Sequence, residues 1–161
     1  GGVAAFVGAL AASLGVMGAR LGRQPDAEQR LLALSRNLHS LVQADAAAYN
    51  GLIEAYKLPK HEPGRARTIS VALQQATEVP LQIVELTCEV ARFLQTLRET
   101  ARLPVRSDLT VGFLLAIAAA QAGLCTVKTN TTSKQNHILA DGLQNRITKA
   151  IEILEELKML C

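Results

Sequence analysis

The sequence predicts an all-α fold, a single dimeric domain built as a bundle of about six helices. Three observations predict it. Apolar residues make up 49% of 161 residues while aromatics are 3% with no Trp, so a core of real size must be filled by Ala, Leu, Val and Ile. Ala and Leu are the strongest helix formers among these. Apolar positions also recur at helical spacing, as in Leu31, Leu34, Leu38 and Leu41, and in Ile147, Ile151, Leu154 and Leu157. Finally, Gly and Pro punctuate long segments that are otherwise free of breakers.

The first helix spans Val3–Leu21, and Gly22–Pro25 breaks it. Asp26 is the expected cap of the second helix, with Gln29 completing a capping box. That helix runs to about Tyr56, where Leu58-Pro59 stops it and Lys60–Gly64 forms a loop. A third helix starts near Arg65. Pro80 restricts Val79 and predicts a break or kink there, so Leu81–Ala101 reads as a fourth helix, ended by Leu103-Pro104. Ser107 is the expected cap of a fifth helix from Asp108 to about Leu124, with Asp108 against its positive end. The β-branched polar run Cys125–Thr132 predicts an extended connector. Ser133 is the expected cap of a last helix reaching about Leu160.

Charge and cysteine usage exclude several function classes. The formal net charge is +3, with no dense basic face interleaved with aromatics, so no nucleic-acid partner is expected. Cys88, Cys125 and Cys161 are odd in number and far apart, which predicts neither a disulfide framework nor a zinc site and suits a reducing cytoplasm. Val3–Ala19 and Leu109–Val127 are uncharged. Their glycines and alanines suit close helix packing in a core, so no membrane span is expected. No positive n-region precedes the first helix, so no signal peptide is expected, and Gly1 in place of Met predicts a start further upstream. The Gly/Ala-rich first and fifth helices have too little bulk to close a core unaided, which predicts a homodimer with these helices at or near the interface.

One residue breaks the pattern. The apolar stripe of the second helix runs Leu31, Leu34, Leu38, Leu41, Asp45, Ala48, Leu52, Ala55, and Asp45 lies seven residues from both Leu38 and Leu52. Seven residues is two turns, so a carboxylate stands on the apolar face. Burying it without a partner would cost several kcal/mol or favour its protonated form, the usual route to a general acid or base. A structural role, pairing with an Arg or capping a neighbouring helix, accounts for it equally well. The loop Lys57–Arg67 gathers Lys57, Lys60, His61, Arg65 and Arg67. Lys60 could be aimed into a cleft and Arg65 could clamp a carboxylate, or the loop could simply be solvated. His39, His61 and His137 lack metal-ligand spacing and read as surface residues, so no metal site is expected. Gly1-Gly2 ahead of a helix is a weak signal for anion binding.

Four short strings, in order and spacing, resemble one known family: Ala44-Asp45-Ala46-Ala47-Ala48-Tyr49, Leu58-Pro59-Lys60, Glu78-Val79-Pro80-Leu81 and Arg106-Ser107-Asp108-Leu109. They look like the cyclodeaminase/cyclohydrolase family of tetrahydrofolate enzymes, and Arg65 falls where that family has an Arg. Gly1–Leu10 resembles the helix that follows the family's Pro-Gly-Gly-Gly-Ser loop. The loop itself and the helix before it are not in this sequence, and Gly2 stands at the Ser position. Gln43 replaces the first acid of an Asp-x-Asp, and Thr126-Val127 stands where the family often has Asn-Val.

The resemblance implies one helical cyclodeaminase-like domain over residues 1–161, an all-helical homodimer acting on a folate with no metal or redox cofactor. It implies Asp45 as the catalytic group. Gly1, Gly2, Lys60, Arg65, Ser107, Asp108 and Asn130 would lie around the folate. The leading activity so implied is 5-formiminotetrahydrofolate cyclodeaminase. Methenyltetrahydrofolate cyclohydrolase is the alternative, and a non-catalytic folate-binding or oligomerisation module is a third reading favoured by the absent glycine loop and by Gln43.

Overall fold

The computed structural model describes residues 1–132 and 141–161. Among these residues it holds five helices and no strand: α1 (Gly2–Leu21), α2 (Pro25–Lys57), α3 (Arg65–Thr100), α4 (Leu103–Thr131) and α5 (Asp141–Lys158). α1 to α4 form a four-sided bundle in which α1 packs on α2, α2 on α3, α3 on α4 and α4 back on α1, while α5 lies mainly against α3. Leu31, Leu34, Leu38, Leu81, Ile83, Leu94, Leu109 and Phe113 fill the interior. Small residues bring α1 close to its neighbours. A Cβ on Gly18 would stand 2.5 Å from Leu109 Cδ2, so a larger residue there would force the Leu109 side chain to shift.

The helical fold class agrees with the sequence reading; the count of about six helices and several boundaries do not. Pro80 does not break the chain: α3 runs through it from Arg65 to Thr100. A proline inside a helix removes the N–H that would serve the carbonyl four residues back, here Ala76. Asn130 Nδ2 donates to that carbonyl at 2.7 Å, so the orphaned acceptor is satisfied from α4. The expected third and fourth helices are therefore one.

The Cys125–Thr132 connector is likewise helical, as α4 continues to Thr131. Its threonines return their hydroxyls to the helix's own carbonyls. Thr129 Oγ1 donates to Cys125 O at 3.0 Å and Thr131 Oγ1 to Lys128 O at 3.0 Å. With Asn130 anchored to α3, tertiary contact outweighs a weak extended preference. Ser107 is not a cap. α4 starts at Leu103 with Arg102 as N-cap and Pro104 in the first turn, where a missing N–H costs nothing. Ser107 Oγ bonds back to Pro104 O. Nor does Asp26 cap α2, since Gln24 is the N-cap and Pro25 the first residue. Ser133 and His137 lie outside the described residues.

α3 and α5 are clamped by charge. Arg146 grips Glu85 with Nε and Nη2 at 2.8 and 2.7 Å and reaches Glu78 with Nη1 at 2.7 Å. These bonds, Glu85's first, hold the guanidinium above its ordinary range despite partial burial. By length and composition α1 and α4 could each cross a membrane, and half of each such stretch is buried inside the bundle.

Candidate functional site

A cleft of about 420 Å³ opens beyond the first turn of α1, between α2 and α4. Asp45, Tyr49 and Leu52 of α2 form one wall, Cys125, Thr126, Thr129 and Asn130 of α4 the other, and Ala76 of α3 the floor. The α2 residues follow from helical spacing: Asp45, Tyr49 and Leu52 recur at four and three residues and so share one face. Once residues 125–131 are helical, Cys125, Thr126, Thr129 and Asn130 share a face by the same rule.

Asp45 is 22% exposed, neither sealed in the core nor free in solvent. Its Oδ2 accepts a hydrogen bond from the Gly2 backbone N–H at 2.8 Å and lies 3.4 Å from the Gly1 nitrogen. These are the first backbone nitrogens of α1, whose own N-cap offers no side-chain bond. The carboxylate therefore caps a neighbouring helix at its positive end. Among the described residues Oδ1 accepts no hydrogen bond, and Asp45 lines the cleft. The approach demands glycine, because a Cβ on Gly1 would land on Asp45 Oδ1. Gly1-Gly2 does receive an anion, and that anion is the protein's own carboxylate.

Gly1, Gly2, Asp45 and Asn130 thus meet at the cleft. The other expected residues do not join them within one chain. Arg65 is half-buried at the α2–α3 connection, where Nε donates to Leu58 O at 2.9 Å and Nη2 to Tyr56 O at 3.1 Å. Lys60 is exposed on the same connection, roughly 20 Å along α2 from Asp45 at 1.5 Å per residue. Ser107 and Asp108 are exposed in the first turns of α4, roughly 33 Å from Asn130 by the same rise. Tyr49, Thr126 and Thr129 were not singled out from the sequence as cleft residues. Tyr49 is 61% exposed one turn past Asp45, a signal available from spacing alone. The two threonines were hidden by the extended reading of their segment.

A second groove of about 830 Å³ runs between α2 and α3, lined by small and aliphatic residues such as Ala44, Ala48 and Val71, with Glu54, Arg67, Thr68 and Gln75 as its polar groups. Burial pushes the Cys88 thiol up to about 12, with Arg92 opposing and Glu85 adding to the shift, so it remains protonated at neutral pH. Among the described residues no cluster of His, Cys, Asp and Glu could hold a metal ion.

Comparison with known proteins adds four findings. The family model described as formiminotransferase-cyclodeaminase matches residues 1–149. The formimidoyltransferase-cyclodeaminase of Sus scrofa is 34% identical over 167 residues, covering 96% of this chain but only 30% of the relative. The methenyltetrahydrofolate cyclohydrolase of Methylorubrum extorquens is 32% identical over 175 residues, covering 99% of this chain and 79% of the relative. In structure, a formiminotetrahydrofolate cyclodeaminase from Thermotoga maritima superposes with a TM-score of 0.78 over 97% of this chain and 81% of its own, at 20% identity. That last likeness concerns the fold.

Proposed function

The chain belongs to the formiminotransferase-cyclodeaminase family, and from that membership we propose that it acts on a one-carbon tetrahydrofolate as a 5-formiminotetrahydrofolate cyclodeaminase. The observation that carries the reading is Asp45, held by the N-terminus of α1 through Oδ2 while it lines a cleft beside an exposed tyrosine. In the proposed reaction the folate N10 attacks the formimino carbon and a tetrahedral adduct forms. Oδ1 takes the proton from N10 and delivers it to the exocyclic nitrogen, which leaves as ammonia, and 5,10-methenyltetrahydrofolate remains. One carboxylate serves as base and then acid because both nitrogens sit on the same carbon. Fixing Oδ2 on α1 keeps Oδ1 in one orientation through both transfers.

Lys60 and Arg65 would meet the negatively charged end of the substrate, and Ser107, Asp108 and Asn130 its polar edges. Arg65 would have to do so while holding two carbonyls. No metal or redox group enters this scheme, and the working form we propose is a homodimer in the cytoplasm.

A cyclohydrolase is the second reading, favoured by the long coverage of the M. extorquens relative. There Asp45 would activate water against the methenyl carbon, and ring opening would give 10-formyltetrahydrofolate. Supplying each folate in turn separates the two. Ammonia release with growth of methenyl absorbance supports the cyclodeaminase, and decay of methenyl absorbance without ammonia supports the cyclohydrolase. A protein that binds a folate and turns over neither is the helical binding module.

A further inference from the structure

We propose that the Asp45 cleft selects an amidinium, a flat cation bearing N–H donors, and that Thr129 and Tyr49 set this specificity. Thr129 accepts one N–H beside Asp45, and the Tyr49 ring covers the cation. The selectivity follows from the cleft's own hydrogen-bonding groups. That the amidinium is the protonated formimino group of a folate rests on the reading above.

Most donors that line the cleft are spent inside the protein. The Gly2 N–H donates to Asp45 Oδ2 at 2.8 Å, and the Gly1 nitrogen to Thr126 Oγ1 at 3.4 Å. Asn130 Nδ2 donates to Ala76 O at 2.7 Å. Thr126 Oγ1 and Thr129 Oγ1 donate to the carbonyls four residues back, Ala122 O at 3.4 Å and Cys125 O at 3.0 Å. A threonine whose proton is committed to its own helix has only lone pairs to offer a ligand. Acceptors are left over. Asp45 Oδ1 and Thr129 Oγ1 accept no hydrogen bond among the described residues, and Thr129 is exposed. Among the side chains described around the cleft, the donors still open are the Tyr49 hydroxyl and the weak Cys125 thiol.

Charge and shape narrow the ligand further. Among the described residues no Lys, Arg or His lines the cleft, so the Asp45 carboxylate has no side-chain cation beside it there. A carboxylate ligand would add like charge, and a carboxamide would set its own carbonyl oxygen against the cleft's acceptors. Tyr49 stands one turn beyond Asp45 on the same face of α2, 61% exposed. Residues so spaced have Cβ atoms about 5–6 Å apart, and a cation is held by an aromatic face within about 6 Å. A cation paired with Asp45 is therefore in reach of the ring, and a flat one presents the larger area to it.

A protonated formimino group meets these demands. Its exocyclic nitrogen carries two N–H bonds, one for Asp45 and one for Thr129. When the folate N10 attacks the formimino carbon, the carbon–nitrogen π pair moves onto that nitrogen, which becomes a neutral amine. The proton lost by N10 passes through Asp45 to the amine, ammonia leaves, and the methenyl product keeps the single positive charge. A methenyl substrate shares the charge but has no N–H at the reacting carbon, and a formyl group turns a carbonyl oxygen toward the acceptors. A site built to accept N–H bonds rejects analogues that lack them.

The test begins with benzamidinium and with benzamide, its neutral carboxamide counterpart, titrated into the full chain by ligand-detected NMR. Benzamidinium should bind at least about ten-fold more tightly. Thr129→Val, which keeps the shape and removes the acceptor, should erase most of that preference, and Thr129→Ser should restore it, with the melting temperature unchanged in both. Tyr49→Leu should weaken benzamidinium by about three- to thirty-fold while Tyr49→Phe keeps it. Equal binding of the two probes overturns the proposal, and so does a preference that survives Thr129→Val. Equal loss in Tyr49→Leu and Tyr49→Phe overturns the ring's part. With folates, Thr129→Val should raise KM for 5-formiminotetrahydrofolate about ten-fold and leave inhibition by 5-formyltetrahydrofolate unchanged, a split that mere structural damage would not give. Turnover of 5,10-methenyltetrahydrofolate with none of the formimino substrate overturns the selection of an amidinium folate. A chain that prefers benzamidinium yet turns over neither folate overturns the folate reading, while the selectivity of the cleft stands.

Discussion

Two regions of the molecule solve the same problem with opposite charges. At the cleft, the Asp45 carboxylate of α2 caps the N-terminus of α1. At the α2–α3 connection, the Arg65 guanidinium caps the C-terminus of α2 through the carbonyls of Tyr56 and Leu58. Anion to N-terminus and cation to C-terminus is the pairing that helix ends favour. The difference lies in what remains after capping. Asp45 lines a cavity and keeps one carboxylate oxygen without a hydrogen bond among the described residues, whereas the guanidinium of Arg65 is spread over two carbonyls at an outer turn. A capping residue can therefore be functional only where the fold leaves it a spare atom in a concave place.

The largest effect that sharpens this contrast is on rate at the cleft. Asp45→Asn keeps the shape and an oxygen for the Gly2 N–H but removes the group that carries the proton. Turnover should fall by about 10²- to 10⁴-fold with folate binding largely kept. Stability should change only by the lost charge at the helix end, about 0.3–1 kcal/mol. Steady-state kinetics and a melting curve on one variant check both halves. Normal turnover removes Asp45 from the mechanism and leaves it a cap, on a par with Arg65.

The next effect concerns the floor of the cleft. Asn130→Ala strands the Ala76 carbonyl that Pro80 cannot serve, which should cost about 1–3 kcal/mol in urea unfolding. Pro80→Ala supplies an N–H to that carbonyl from within α3. In the Pro80→Ala background, Asn130→Ala should therefore cost much less, and the double-mutant cycle should show coupling. Additive losses would mean that Asn130 acts through another contact.

These residues also mark what could be read in the sequence. The helical class, the apolar stripes and the anomaly of Asp45 are local signals, each visible within two or three turns of one segment. What the sequence hid was remote pairing. The continuity of α3 through Pro80 depends on a side chain 54 residues away, and nothing in the Glu78–Leu81 string announces it. Residues 125–131 continue α4 with Val127 buried in the core and Asn130 bonded to α3, so packing against distant residues accompanies both departures from the local reading. Asp45 was legible as misplaced, but its partner is a backbone N–H 43 residues distant, so its two candidate roles stayed level until the fold joined them. Ser107 and Asp108 were tied to the site only through resemblance, and a single chain keeps them far from it.

On the other side of the comparison, Arg65→Ala should cost about 1 kcal/mol, because two exposed or half-buried carbonyls regain water when the guanidinium leaves. Arg65→Lys should recover little of it, since a point cation cannot serve both acceptors with the geometry of a fork. Urea midpoints of the two variants check this. Recovery of full stability by lysine would reduce the cap to simple charge at a helix end.

The smallest effect is expected at Lys60, one turn of chain away from that cap. Its side chain is exposed and makes no ion pair with the described residues, so Lys60→Ala should leave stability within about 0.5 kcal/mol. If Lys60 meets the negative end of the substrate, the variant should bind folate more weakly, by a few-fold at low salt. An exposed charge contact is screened over about 10 Å at 0.1 M salt, so the gap between variant and wild type should narrow as salt rises. The fall should appear in KM rather than kcat, since a contact remote from the reacting carbon acts equally on bound substrate and transition state. A loss in kcat would draw Lys60 toward the cleft, and identical binding at low salt would return the whole Lys57–Arg67 loop to a purely structural account.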